Sequence, residues 1–202
     1  VGDKISYKKG VSVKDNKDTD ISFQVDSSNV NLNKAGTYKV YYIAEDSSGN
    51  KAKETATITV LPLTVTEEML NEKVDKILAK IMKEGMTKRE IAWEIYQWVK
   101  KNVVYTGYSD KSDWRKEAYR GIVTGMGDCF TYYAISEALL TRAGIDNMRV
   151  TRVGGKTEHF WNLINCGDGW YHFDSCPNKD KRQTFMLTDA EVEELTRLRG
   201  NN

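Results

Sequence analysis

Gly125-Met126-Gly127-Asp128-Cys129-Phe130-Thr131-Tyr132-Tyr133-Ala134-Ile135-Ser136-Glu137-Ala138-Leu139-Leu140 is the stretch on which the fold turns. From Phe130 onward its pattern is helical: Phe130, Ala134, Ala138 and Leu139 can face inward, and Gly144 supplies the stop. Cys129 then falls at or just inside the helix N-terminus, where unpaired N–H groups and the positive dipole end favour a thiolate. Gly125 and Gly127 read as space for the close approach of a substrate backbone. Free cysteines are commonly small core residues. A structural one, however, belongs in the middle of an apolar stripe rather than at a helix start.

Downstream, Phe160-Trp161-Asn162-Leu163-Ile164-Asn165 and Trp170-Tyr171-His172-Phe173-Asp174-Ser175 read as two strands joined by Cys166-Gly167-Asp168-Gly169. A four-residue loop pairs Asn165 with Trp170, sets His159 opposite Cys176, and makes Asp174 its diagonal neighbour on the same face. A one-residue slip would put His159 and Asp174 on opposite faces. The three residue types suit distinct roles: a cysteine nucleophile, an imidazole that takes and returns its proton, and a carboxylate that orients the imidazole. His172 shares a strand face with Asp174, a poorer arrangement for hydrogen bonding, so it reads as structural or pocket-lining. A metal site built from His172, Cys166 and Cys176 fits no zinc spacing, and the register puts the two cysteines on opposite faces. The same parity argues against a disulfide between them.

Upstream, Thr66 is a plausible N-cap followed by Glu67 and Glu68. Met69, Leu70, Val74, Ile77, Leu78 and Ile81 form one apolar stripe, with Gly85 as its end. Thr87 and Glu90 form a capping box for a second helix whose inner face is Ile91, Ile95, Trp98 and Val99, with Trp93 and Trp98 as core residues. An irregular stretch from Tyr105 to Asp113 precedes a short helix over 114–123.

With these elements in order, Gly127-Asp128-Cys129 and Ala134, Arg142-Ala143-Gly144-Ile145, His159-Phe160-Trp161, and Gly169 to Asp174 followed by Pro177 resemble the motifs of the transglutaminase-like superfamily over roughly residues 88–178. The resemblance implies an α+β, papain/transglutaminase-like catalytic domain in which Cys129, His159 and Asp174 perform acyl transfer. It also implies an oxyanion hole built from the Cys129 N–H and an upstream side chain. Trp114 is the candidate, with Tyr105 and Tyr108 behind it. As the simpler reading, Trp114 anchors its own helix. Cys176 departs from the family, which usually has a small or aliphatic residue before the proline. No cofactor and no metal are implied.

The first 60 residues are different in kind. Arg, Trp, Cys, His and Met are absent before Pro62 and present after it. Thr37 to Ile43 and Thr55 to Val60 alternate as strands around a turn at Asp46-Ser47-Ser48-Gly49-Asn50. Together with Val1-Gly2-Asp3, the Asp15–Asp20 stretch and Ala35-Gly36-Thr37-Tyr38, they resemble bacterial immunoglobulin-like surface modules. That resemblance implies a small all-β sandwich over residues 1–62, ahead of a catalytic domain over 63–202. The Asp15–Asp20 stretch reads as a solvated turn in preference to a calcium site.

A net charge of +1 over 202 residues provides no basic field for nucleic acid. No apolar run approaches the roughly 20 residues of a membrane span. Three cysteines are too few and too odd a number for a disulfide framework. The expectation is a secreted or cell-surface bacterial thiol enzyme whose partner is a peptide or protein substrate, such as cell-wall peptide or a surface protein. Hydrolysis or deamidation is preferred to cross-linking because no acceptor-amine site can be read. The competing expectation is a non-catalytic surface adhesion module that retains the fold.

Overall fold

The computed structural model describes residues 5–17, 21–62, 64–154, 157–179 and 181–198. The chain divides into two compact units, Val1–Leu63 and Thr64–Asn202.

The first unit is all-β among its described residues. Strands β1 (Phe23–Asp26), β2 (Gly36–Glu45) and β3 (Lys51–Val60) form one antiparallel sheet in that order. The hairpin turn expected at 46–50 closes the β2–β3 pair, with Glu45 opposite Lys51. Its Asp46 carboxylate accepts from the backbone N–H groups of Ser48 at 2.9 Å and Asn50 at 2.7 Å, while Gly49 supplies the left-handed backbone at φ +84°. Asp15 likewise accepts from the Lys17 N–H at 2.8 Å. Residues 1–4 and 18–20 of the proposed motif lie outside the described residues.

The second unit begins with helices α1 (Glu67–Ile81) and α2 (Lys88–Asn102), capped by Thr66 and by the Thr87–Glu90 box. Leu70, Val74, Ile77 and Leu78 are the buried face of α1. That helix ends at Ile81, earlier than expected, because Met82 turns to extended backbone; Gly85 at φ +82° serves the turn into α2 instead. The two-residue strand β4 (Val104–Tyr105) pairs in parallel with β5 (Met126–Gly127), and α3 (Trp114–Thr124) lies between them in sequence.

Helix α4 (Cys129–Arg142) is the centre of this unit. The expected inward residues are buried, but so are Tyr132, Tyr133, Ile135, Ser136 and Leu140, so the helix is enclosed rather than faced. Helices α1, α2 and α3 pack against it, as do β6 (Asp146–Thr151) and β7 (Phe160–Asn165). The antiparallel sheet continues through β8 (Trp170–Phe173) to β9 (Phe185–Leu187), before α5 (Asp189–Leu198). Close approach of α3 to α4 requires Gly121, where an added Cβ would lie 2.4 Å from Thr131 Cγ2. Gly127 answers the same demand: its Cβ would sit 2.0 Å from Thr131 Oγ1. Gly125 is the left-handed C-cap of α3 at φ +66°. The two glycines read from sequence as room for a substrate therefore meet requirements of the fold.

Candidate active site

The β7–β8 pairing follows the register expected from the four-residue loop, from Asn165 opposite Trp170 to Asn162 opposite Phe173. Just beyond the paired residues, His159 Nε2 and Asp174 Oδ2 are 2.7 Å apart. The second Asp174 oxygen accepts from the Cys176 N–H at 3.0 Å. The Asp174 backbone is held as firmly. Its N–H donates to Thr184 O at 2.9 Å, and its carbonyl accepts from Thr184 Oγ1 at 2.6 Å. Thr184 in turn donates its N–H to the buried Tyr96 hydroxyl at 3.0 Å. A bulge between β8 and β9, with Met186 at φ +57°, accompanies this arrangement.

Cys129 is the first residue of α4, and its Sγ lies 3.8 Å from Glu158 O, next in chain to His159. The His159 imidazole is hydrogen-bonded to Asp174, and Cys129 lies near enough to act on its titration. Because Asp174 takes Nε2, Nδ1 is the ring nitrogen left for a further partner. Burial pulls the His159 pKa down, but the hydrogen bond to Asp174 and the charges of Asp174 and Cys129 outweigh it and raise it to about 9. Helix-terminal stabilisation of a Cys129 thiolate is shared with the N-cap, since Asp128 Oδ1 accepts from the Phe130 N–H at 2.8 Å. That carboxylate draws on the same positive helix end. The His159 imidazole and the Lys111 ammonium are both coupled to charge on the thiol.

The other two thiols differ. Burial pushes the Cys176 thiol far up, with the Asp174 charge adding to it, and burial raises Cys166 as well. All three cysteines are free. His172 accepts from Trp161 Nε1 at 2.8 Å through Nδ1 and meets Asp189 Oδ1 at 2.9 Å through Nε2. It thus fixes Trp161, whose ring stacks beside His159 with centroids 5.4 Å apart.

Trp114 begins α3, half-buried, with the Arg115 guanidinium 4.7 Å over its ring. Tyr105, opposite Gly127 in the short parallel pair, is an exposed residue whose phenol pKa is raised by partial desolvation and then by charge on Cys129 and Cys176. Lys111 Nζ and Glu158 Oε2, 2.8 Å apart, tie the loop after β4 to the segment before His159. Among the described residues, no group of three or more His, Cys, Asp or Glu side chains is arranged to hold a metal ion.

The chain belongs to the transglutaminase-like superfamily, whose core profile matches residues 75–175. Residues 4–60 match the Ig-like domain of bacterial surface proteins. Similar solved structures include a protein proposed to be a cysteine protease of Cytophaga hutchinsonii, 16% identical with a TM-score of 0.44 over 78% of this chain and 65% of that one. A second is a TGase, 13% identical with a TM-score of 0.43 over 66% of this chain and 47% of that one. The chain thus spans less than two thirds of either. No curated protein matches it in sequence. The second unit thus carries the transglutaminase-like core, and the first resembles the Ig-like domain of bacterial surface proteins. No helix among the described residues is long and apolar enough to cross a membrane.

Proposed function

We propose that residues 63–202 form a catalytic domain in which Cys129 attacks a carboxamide or peptide carbonyl. The observation that carries this is the 2.7 Å contact of Asp174 with His159 Nε2, which leaves Nδ1 for Cys129. Asp174 orients the imidazole and stabilises its protonated form. The thiolate adds to the carbonyl carbon, and the negative charge moves to the carbonyl oxygen. The Cys129 N–H, unpaired at the helix start, is one donor for that oxyanion. Trp114 and Tyr105 compete for the role of second donor, and the pairing of Tyr105 with Gly127, two residues before Cys129, favours Tyr105. Collapse breaks the C–N bond as imidazolium gives its proton to the departing amine, leaving a thioester on Cys129. Water or an amine then attacks the thioester, His159 takes its proton, and the thiolate leaves.

Hydrolysis or deamidation is preferred to cross-linking. The surface-protein module of residues 1–62 supports an extracellular bacterial setting, secreted or at the cell surface, with cell-wall peptide or a surface protein as substrate. The test is a screen for peptide hydrolysis, glutamine deamidation and amine incorporation, with Cys129→Ala as control. Loss of every activity in the variant is expected. Acyl transfer that survives in Cys129→Ala refutes the nucleophile. A wild-type chain inert in all three assays, with Cys129 no more reactive than an ordinary thiol, favours the adhesion module.

A further inference from the structure

Glu117 is fully buried on α3, and its partner Arg120 retains 14% exposure. The carboxylate receives Arg120 Nη2 at 2.6 Å, Arg120 Nε at 2.8 Å, the Asp110 N–H at 2.9 Å and the Thr131 hydroxyl. Arg120 Nη2 also lies 3.0 Å from Met126 O and 3.4 Å from Tyr108 O. Thr131 Oγ1 accepts from the Asp128 N–H at 3.2 Å, completing the cap on which Cys129 sits.

A buried ion pair is weak support for stability, since well-packed apolar side chains of the same volume often do as well. What distinguishes this pair is where its hydrogen bonds end. They fasten two main-chain segments, 108–110 and 126–131, to one helix. The first continues from β4, which carries Tyr105; the second runs through β5 into the first turn of α4, which carries the Cys129 N–H. Tyr105 itself lies opposite Gly127 in the short parallel pair. An oxyanion hole loses its effect when its donors drift by much less than a bond length.

Building on the acyl-transfer role of Cys129, we propose that Arg120, braced by Glu117 and Thr131, is a positioning residue that holds the Tyr105 hydroxyl and the Cys129 N–H in register on the oxyanion. It touches no reacting atom and acts on turnover through those two donors.

Two probes separate this role from a general structural one. Acylation of Cys129 by p-nitrophenyl acetate passes through a tetrahedral oxyanion; alkylation by iodoacetamide is a displacement at saturated carbon and does not. Arg120→Lys keeps a cation beside Glu117 but loses the planar fork. Its acylation rate is expected to fall about 10- to 100-fold. Its alkylation rate should stay within about twofold of wild type, because the thiolate and imidazole are untouched. In a double-mutant cycle, Arg120→Lys should cost little more once Tyr105→Phe is in place. Arg120→Gln serves as the second variant. Equal loss in both reactions, multiplicative losses in the cycle, or failure of both Arg120 variants to fold would each overturn the inference and leave a structural pair. If wild-type protein is alkylated but never acylated at Cys129, the acyl-transfer role falls, and this inference with it. Normal wild-type acylation with parallel losses in the variants removes the inference alone.

Discussion

Asp174→Asn is the most informative single change, because it keeps the shape of the site and removes one charge. In the intact chain His159 is raised from 6.5 to about 9 although burial opposes the rise, so the upward pull of Asp174 and Cys129 is larger than the net displacement. A neighbouring opposite charge typically moves a buried group by roughly one to three pH units. Asparagine retains a weaker hydrogen bond and none of the charge, so the imidazole midpoint is expected to fall by about that amount. Linkage follows the same sign. A folded-state value above the unfolded one means that His159 stabilises the fold fully below about pH 6.5, and that this contribution disappears as pH rises through about 9. The corresponding free energy is on the order of 3 kcal/mol, with one pH unit worth about 1.4 kcal/mol. Asp174→Asn should therefore be less stable than wild type at pH 6 and nearly equal to it at pH 10. The assays are NMR titration of the His159 ring protons and urea unfolding at the two pH values. A His159 midpoint within about half a pH unit of wild type would refute the electrostatic account. So would a stability loss that does not shrink from pH 6 to pH 10.

The remaining predictions concern the frame around the site. Gly127→Ala should cost at least 1–3 kcal/mol by urea unfolding, on the order of an overpacked core, because its Cβ would fall 2.0 Å from Thr131 Oγ1. A stability close to wild type would mean that the Thr131 contact yields freely. Tyr96→Phe removes the acceptor of the Thr184 N–H and should cost about 1–3 kcal/mol, with weaker acylation of Cys129 as Asp174 loosens. Unchanged stability would show that water replaces the hydroxyl. Iodoacetamide at neutral pH, followed by peptide mass mapping, should label Cys129, the proposed nucleophile, first and Cys166 more slowly, with Cys176 protected by a raised pKa. Cys176 labelled ahead of Cys129 would remove the case for Cys129 as the nucleophile.

The elements that sequence made legible are those whose cause is local. Thr66, the Thr87–Glu90 box and the Asp46 turn each satisfy backbone groups within four residues, so their chemistry is written in adjacent letters. The His159–Asp174 contact was accessible for a related reason: a hairpin loop of fixed length converts sequence separation into cross-strand distance. Helix α5 had a comparable signal in Thr188 and Glu191, which form hydrogen bonds of 2.7 and 2.8 Å, yet it was not among the expected elements. Its Asp189 is what secures His172.

The supports of the site were hidden for a different reason. Glu117 and Arg120 stand three apart on a helix, a spacing indistinguishable from an exposed surface pair. Only tertiary packing decides that the carboxylate is buried, and only the loop path decides that the Asp110 N–H donates to it while Met126 O accepts from Arg120. Tyr96 and Thr184 are 88 residues apart and meet solely because β9 passes α2. The two glycines before Cys129 show how the same blindness misleads. A glycine beside a proposed nucleophile invites a functional explanation, whereas Gly127 is small because Thr131 fills the space its side chain would need. Nucleophile, base and orienting carboxylate are few and chemically distinctive, so sequence can nominate them. The residues that hold them in geometry are ordinary in type and become recognisable only by where their hydrogen bonds end. Perturbing Arg120 and Thr184 therefore probes what the structure adds to sequence more directly than a further change at Cys129.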